Sequence, residues 1–191
     1  ILEAISRGKD WRTVSEGSFD GKGSFGNGAA MRVAPVGAYF AEDLERVADR
    51  AERTARITHA HREGIAGAIA VAVATAAAWR TRQQDFGEAV DRLFELVLDW
   101  TPAGETRAGI EEAAQIDFER PVPEVAERLG SGQRVTAMDT VPFVLWCAAR
   151  HLDDLTEAFW ETVSGKGDRD TTCAMVGGIV AQRTGLGSIP T

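Results

Sequence analysis

The sequence is short of several residues that carry familiar chemistry. Only two cysteines occur, Cys147 and Cys173, far apart and both inside apolar runs. They form no C-x-x-C pair, so they read as two reduced core thiols of a cytoplasmic protein. Histidine is nearly as scarce: His59, His61 and His151 are all there are. Basic residues are outnumbered, 21 Lys and Arg against 29 Asp and Glu, for a formal net charge of −8. That balance excludes a general nucleic-acid footprint and leaves room only for a local basic pocket. No apolar run is long enough to span a bilayer. The longest, Gly64 to Trp79, is rich in Ala and Gly and falls short of the roughly 20 residues a span needs; it reads as a buried helix. Alternating β-branched runs are missing throughout, as are repeats and low-complexity linkers.

What remains is 191 residues, 44% hydrophobic and 26% charged, enough for one domain with a buried core. The helical signals are strong. Leu44, Val47, Ala48 and Ala51 recur at helical spacing within Ala41 to Ile57. Val90, Leu93, Phe94 and Val97 do the same within Asp85 to Trp100, which Thr101-Pro102 ends. Further helices are predicted over Ala103 to Ile116, Pro121 to Leu129, Val141 to Leu152, Asp153 to Val163, and along the apolar run from Cys173, capped by Asp170 or Thr171, to near Thr184-Gly185. Ile1 to Arg7 reads as a helix already under way, which suggests a piece of something longer, and Lys9 to Phe19 as an irregular stretch anchored by Trp11. The fold class is all-α, a globular multi-helix bundle.

Three stretches carry chemistry. In Gly167-Asp168-Arg169-Asp170-Thr171-Thr172, two carboxylates and a hydroxyl gather at the mouth of an apolar helix. Asp170 or Thr171 is placed to cap that helix, with Asp168 just outside it on a loop held by Gly165 and Gly167. Hard oxygens of this kind suit Mg²⁺ or Ca²⁺ rather than Zn²⁺. The alternative is an Asp cap with a second Asp favoured by the helix dipole. An EF-hand is excluded, because Cys173 and Ile179 stand where its Gly and Glu belong. The second stretch, Gly21 to Gly28, places glycine at every second or third position and then enters a helix, an arrangement suited to phosphate. It is neither a Walker loop nor a dinucleotide fingerprint, and an ordinary flexible turn is the alternative. The third holds His59 and His61 at a helix boundary, as metal ligands or as capping groups. A zinc site built from these histidines and the aspartates stays open as well.

Taken in order, Gly23-Ser24-Phe25-Gly26-Asn27-Gly28-Ala29-Ala30-Met31-Arg32-Val33-Ala34-Pro35, Thr58-His59 and Gly167 to Ala174 resemble the ADP-ribosylglycohydrolase family. The likeness runs over nearly the whole chain, including Asp139-Thr140-Val141-Pro142 and Gly185-Leu186-Gly187-Ser188-Ile189-Pro190. It implies an all-α domain with a pair of Mg²⁺ ions in a cleft for ADP-ribose, and hydrolysis at the ribose anomeric carbon of an ADP-ribosylated protein, nucleic acid or small molecule. By matching position, Asp168, Asp170 and Thr171 would be metal ligands. Gly23, Ser24, Phe25, Gly26 and Asn27 would line the pyrophosphate and proximal ribose, with His59 beside the ribose. The family's Gly-Asp and Thr/Ser-Asp-Asp-Thr motifs, which supply the remaining metal ligands and in some members the acidic catalytic residue, are not in this sequence. The resemblance therefore implies a C-terminal portion of the family's domain, spanning residues 1–191. No residue has a claim to be the catalytic acid or base, and the oligomeric state is left open. Lys166 stands where many members carry glycine, and Ser24 where some members that cleave arginine-linked ADP-ribose carry an acid. A non-catalytic ADP-ribose-binding or structural member of the same fold is the alternative function.

Overall fold

The helix Arg62–Arg80 is the axis on which the other elements are laid. It is 19 residues long, and every position from Glu63 to Ala78 is buried. A helix apolar all round must be covered all round, and its Ala, Gly and Val side chains let the covering elements come close. The computed structural model describes residues 2–189. Thirteen α-helices occur among the described residues: α1 (Leu2–Ser6), α2 (Trp11–Glu16), α3 (Ser18–Gly21), α4 (Gly28–Met31), α5 (Ala34–Tyr39), α6 (Leu44–Arg56), α7 (Arg62–Arg80), α8 (Phe86–Trp100), α9 (Glu105–Ala113), α10 (Val122–Leu129), α11 (Val141–Arg150), α12 (Leu155–Ser164) and α13 (Arg169–Thr184). No β-strand is present among those residues beyond one isolated bridge, Gly26 to Thr136, and the all-α class holds. No described helix is long and apolar enough to cross a membrane.

Helices α4, α5, α6, α8 and α13 pack directly on α7. The amphipathic α6 turns Val47 and Ala51 inward, and α8 buries Val90, Leu93, Phe94 and Val97, the four positions its spacing predicts. In α11, Phe143 and Trp146 are fully buried, and the Trp146 indole N–H donates to the Ile116 carbonyl at 3.2 Å. The Lys9 to Phe19 stretch departs from expectation. Residues 11–16 are helical, because the Asp10 carboxylate accepts from the Thr13 N–H at 2.9 Å and caps α2.

Close backbone approach is the recurring device. At Gly37 on α5, a Cβ would lie 2.2 Å from the Ala72 carbonyl oxygen on α7. Gly37→Ala is therefore expected to push the two helices apart and cost roughly 1–3 kcal/mol, read as a lowered thermal midpoint; an unchanged midpoint would refute the contact. At the N-terminal end of α7 the same device serves the site. A Cβ at Gly64 would lie 2.8 Å from the Ser24 carbonyl oxygen, and one at Gly67 would lie 2.8 Å from the Ala137 side chain. Two loops can settle on α7 only because these positions are bare. The start of α9 is tied to the same end of α7: the Glu63 carboxylate accepts from the Glu105 and Thr106 N–H groups at 3.2 and 2.9 Å.

Candidate functional site

The glycine-rich segment is held from both sides. Phe25 and Asn27 pair with the loop 134–137: the Asn27 N–H donates to the Val135 carbonyl at 3.1 Å, and the Ala137 N–H to the Phe25 carbonyl at 3.0 Å. On the other side the His61 N–H donates to the Ser24 carbonyl at 3.3 Å. Gly23 has φ of +72°, and a Cβ there would lie 2.6 Å from the His61 nitrogen, so neither the conformation nor the space admits another residue. The helix that follows, α4, is four residues long. Its dipole is correspondingly small, and any preference of this loop for an anion comes mainly from the loop's own backbone. The loop forms one wall of a pocket of about 390 Å³, lined also by Phe19, His59, Arg134 and Val135. A larger hollow of about 930 Å³ lies apart, between α1, α2 and the end of α6, walled by Leu2, Ile5, Trp11 and Ile57 among others. It contains none of the motif residues.

The acidic stretch lies next to this pocket. Asp168, rather than Asp170 or Thr171, is the N-cap of α13, and its side chain makes no capping bond. Left-handed turns at Lys166 (φ +60°) and Gly167 (φ +68°) come immediately before it, which delays the helix start until that residue. The Asp168 carboxylate instead accepts from Asn27 Nδ2 at 3.1 Å. Asn27 is buried and also donates to the Thr140 hydroxyl at 3.2 Å. The Asp168 N–H donates to the Ser131 carbonyl at 3.0 Å, and a Cβ at Gly132 would lie 2.7 Å from the Asp168 Cβ. Asp139 closes the circuit: its carbonyl accepts from the Gly132 N–H at 2.9 Å and its carboxylate from the Arg134 N–H at 2.7 Å. Asn27 thus joins the glycine loop to the carboxylate motif. Asp170 is exposed on the first turn of α13, and Thr171 is buried.

The histidines part ways. His61 caps α7, its Nδ1 accepting from the Glu63 N–H at 3.2 Å. His59 turns toward the glycine loop, where a Cβ at Gly28 would lie 3.2 Å from its Nε2. Its Nδ1 shares a 2.8 Å hydrogen bond with the Thr58 hydroxyl. Burial, and then the nearby Arg32 charge, push its pKa down to about 4, so the ring is neutral at physiological pH. No group of three or more His, Cys, Asp or Glu side chains converges among the described residues. The zinc reading loses its ligand set with that.

Asp168 and Asp170 belong to no such group either; the donor chemistry of the stretch alone would suit a hard divalent ion, as part of a shell. Asp168 spends no oxygen on capping, and the buried Thr171 hydroxyl meets only the Met31 thioether, at 3.4 Å, a weak acceptor. Two carboxylates and a hydroxyl with unspent lone pairs suit Mg²⁺, which takes oxygen ligands and keeps several waters. Sequence reasoning assigned no role to Phe19, Arg32, Arg134, Val135 or Thr140. The signals available were Arg32, inside the glycine-rich motif, and Asp139-Thr140, both matched without a role. The rest lie in aperiodic segments, and Phe19 and Val135 carry left-handed backbone that their residue types do not announce.

In this all-α scaffold the glycine loop and His59 line one pocket, and Asn27 of that loop is bonded to Asp168. The family model for ADP-ribosylglycohydrolase matches residues 1–191, and the chain belongs to that family. An uncharacterized protein of Archaeoglobus fulgidus is 35% identical over 156 residues, covering 80% of this chain and 47% of the relative. ADP-ribosylhydrolase ARH3 of Bos taurus is 28% identical over 96% of this chain and 56% of its own length. The Homo sapiens ARH3 is also 28% identical, over 90% and 53% respectively. The chain spans about half the length of the curated relatives it matches.

Proposed function

We propose that this chain supplies the ADP-ribose-binding face, and part of the metal shell, of a Mg²⁺-dependent hydrolase that removes ADP-ribose from a modified protein, nucleic acid or small molecule. The observation that supports it best is Asn27, which lines the pocket and donates to Asp168. One side chain thereby fixes where the glycine loop stands relative to the carboxylates. In this reading the backbone of Gly23 to Asn27 receives the diphosphate and proximal ribose. His59, neutral, sits beside the ribose. Asp168, Asp170 and Thr171 hold Mg²⁺, which when bound would orient the ribose hydroxyls and a water for attack at the anomeric carbon. The family's second ion would need ligands beyond these three. Neither a membrane nor nucleic acid in general is a proposed partner.

The alternative, a binding module without catalysis, draws on a specific observation. The titratable side chains lining the pocket are His59, held neutral, and Arg134; a histidine of that kind is a poor proton donor, and a guanidinium does not give up its proton. Isothermal titration separates the readings at their common root. ADP-ribose is titrated into the protein with Mg²⁺ and then with EDTA. Binding that needs Mg²⁺ supports a working half-site; no binding under either condition refutes the assignment for this chain. Metal-independent binding favours the module.

A further inference from the structure

The Arg32 side chain has no carboxylate partner among the described residues. It lies at the end of α4 and donates three times: to the Gly28 carbonyl at 3.3 Å, the Thr54 carbonyl at 3.2 Å and the Thr58 hydroxyl at 2.7 Å. A guanidinium only donates, so Thr58 Oγ1 is an acceptor in the last of these. The same oxygen lies 2.8 Å from His59 Nδ1. If Nδ1 were the donor, the Thr58 hydroxyl hydrogen would have no acceptor among the described residues. If the hydroxyl donates to Nδ1, both groups of that contact are satisfied. The single proton of the neutral ring then sits on Nε2. That nitrogen makes no hydrogen bond to the described residues, and it faces the loop: a Cβ at Gly26 or Gly28 would meet it at 3.3 or 3.2 Å.

We propose that Arg32 and Thr58 are positioning residues that hold His59 as its Nε2–H tautomer and aim that N–H into the glycine-loop pocket as a hydrogen-bond donor. Direction runs one way along the chain of bonds, from guanidinium to hydroxyl to Nδ1, because its first member cannot accept. Arg32 also ties the Gly28 carbonyl to the C-terminal turn of α6, so the same side chain sets the separation of the ring from the loop it faces. The proposal rests on the ADP-ribose reading only for the acceptor, a ribose oxygen; the tautomer stands on the protein's own bonds.

The test is long-range ¹H–¹⁵N correlation of the histidine rings at neutral pH, with His61→Gln and His151→Gln used for assignment, alongside ADP-ribose titration. His59 should show a pyrrole-like Nε2 and a pyridine-like Nδ1. Thr58→Val removes the donor while keeping the shape; Nδ1–H should become populated, and ADP-ribose affinity should fall roughly tenfold, as for one lost hydrogen bond. Thr58→Ser should restore both. A wild-type ring with its proton on Nδ1, or a tautomer unchanged in Thr58→Val, overturns the relay. If the wild-type protein does not bind ADP-ribose but Thr58→Val still shifts the proton, the relay stands and the ligand reading falls.

Discussion

Glu63→Ala should lower the stability of the fold by about 3 kcal/mol, because it strips two N–H groups, that of Thr106 fully buried, of a charged acceptor and leaves a hole where the carboxylate stood. For a chain of this length that is a fall of roughly 6–12 °C in the thermal midpoint. The side chain is all but inaccessible and accepts from both Glu105 and Thr106 at the start of α9. Gly104 gives way to it: a Cβ there would lie 2.3 Å from the carboxylate. Gly104→Ala should therefore be costly in the native background and much cheaper alongside Glu63→Ala, a coupling that a double-mutant cycle reads directly. Burial alone would raise the Glu63 pKa, but the bonds from Thr106 and Glu105, with Arg62 close by, hold it below the ordinary 4.5. A depressed native pKa means that the unfolded chain takes up the proton first. The stabilisation is complete above pH 4.5 and is lost as pH falls through the native value. His59 acts in a different window: its pKa drops from 6.5 to about 4 on folding, so stability also declines as pH falls across that interval. Glu63→Gln should abolish the first loss and keep the second. Identical acid-unfolding profiles for Glu63→Gln and the native protein would show that the carboxylate does not have the role assigned to it.

On the proposed reading, Asp170→Ala in the full-length protein should reduce Mg²⁺-dependent hydrolysis of ADP-ribosylated substrate by on the order of 100-fold or more. Losing an outer-shell partner already costs about 10–100-fold in metal affinity or activity, and a direct ligand should cost at least the upper figure. The stability change should be small. Asp170 is exposed, and its favourable position on the first turn of α13 is worth only about 0.3–1 kcal/mol. A folded, inactive variant separates metal binding from folding. Arg169→Ala, which alters the exposed neighbour without touching an oxygen ligand, is the control. Wild-type rates in Asp170→Ala with Mg²⁺ present would remove this residue from the metal shell.

The scaffold was far more legible in the sequence than the site. Gly64 to Trp79 announced α7 because a helix buried on every side has no polar face to interrupt it. Leu93 and Val97 announced α8 because one buried stripe repeats at the helical period. Trp11–Glu16 carried no such stripe; its helix depends on a single cap from Asp10 that periodicity does not register. The start of α13 was placed two or three residues late, because a capping preference says nothing about the left-handed turn at Lys166 and Gly167 that precedes it. The family resemblance did mark Lys166, as a side chain standing where glycine is usual, and its φ of +60° supplies the reason. That the glycine loop and the carboxylates meet was implied by the family alone. Nothing in the residues near Asn27 or near Asp168 points across the 141 positions between them. Arg134 and Val135 went unassigned because a loop held by backbone pairing leaves no pattern in its side chains.

Asn27 reaches Thr140 and Asp168 across 113 and 141 positions of sequence. Contacts of such range close large loops and pay their entropy before any local reward, so they belong to the slow part of folding. The helices can form and begin to gather on α7 while these bonds are still unmade. Binding competence should therefore appear in the last kinetic phase of refolding, after helical signal has largely recovered. A ligand that takes hold of this pocket selects the fully closed chain, and it stabilises that state in proportion to the logarithm of its concentration.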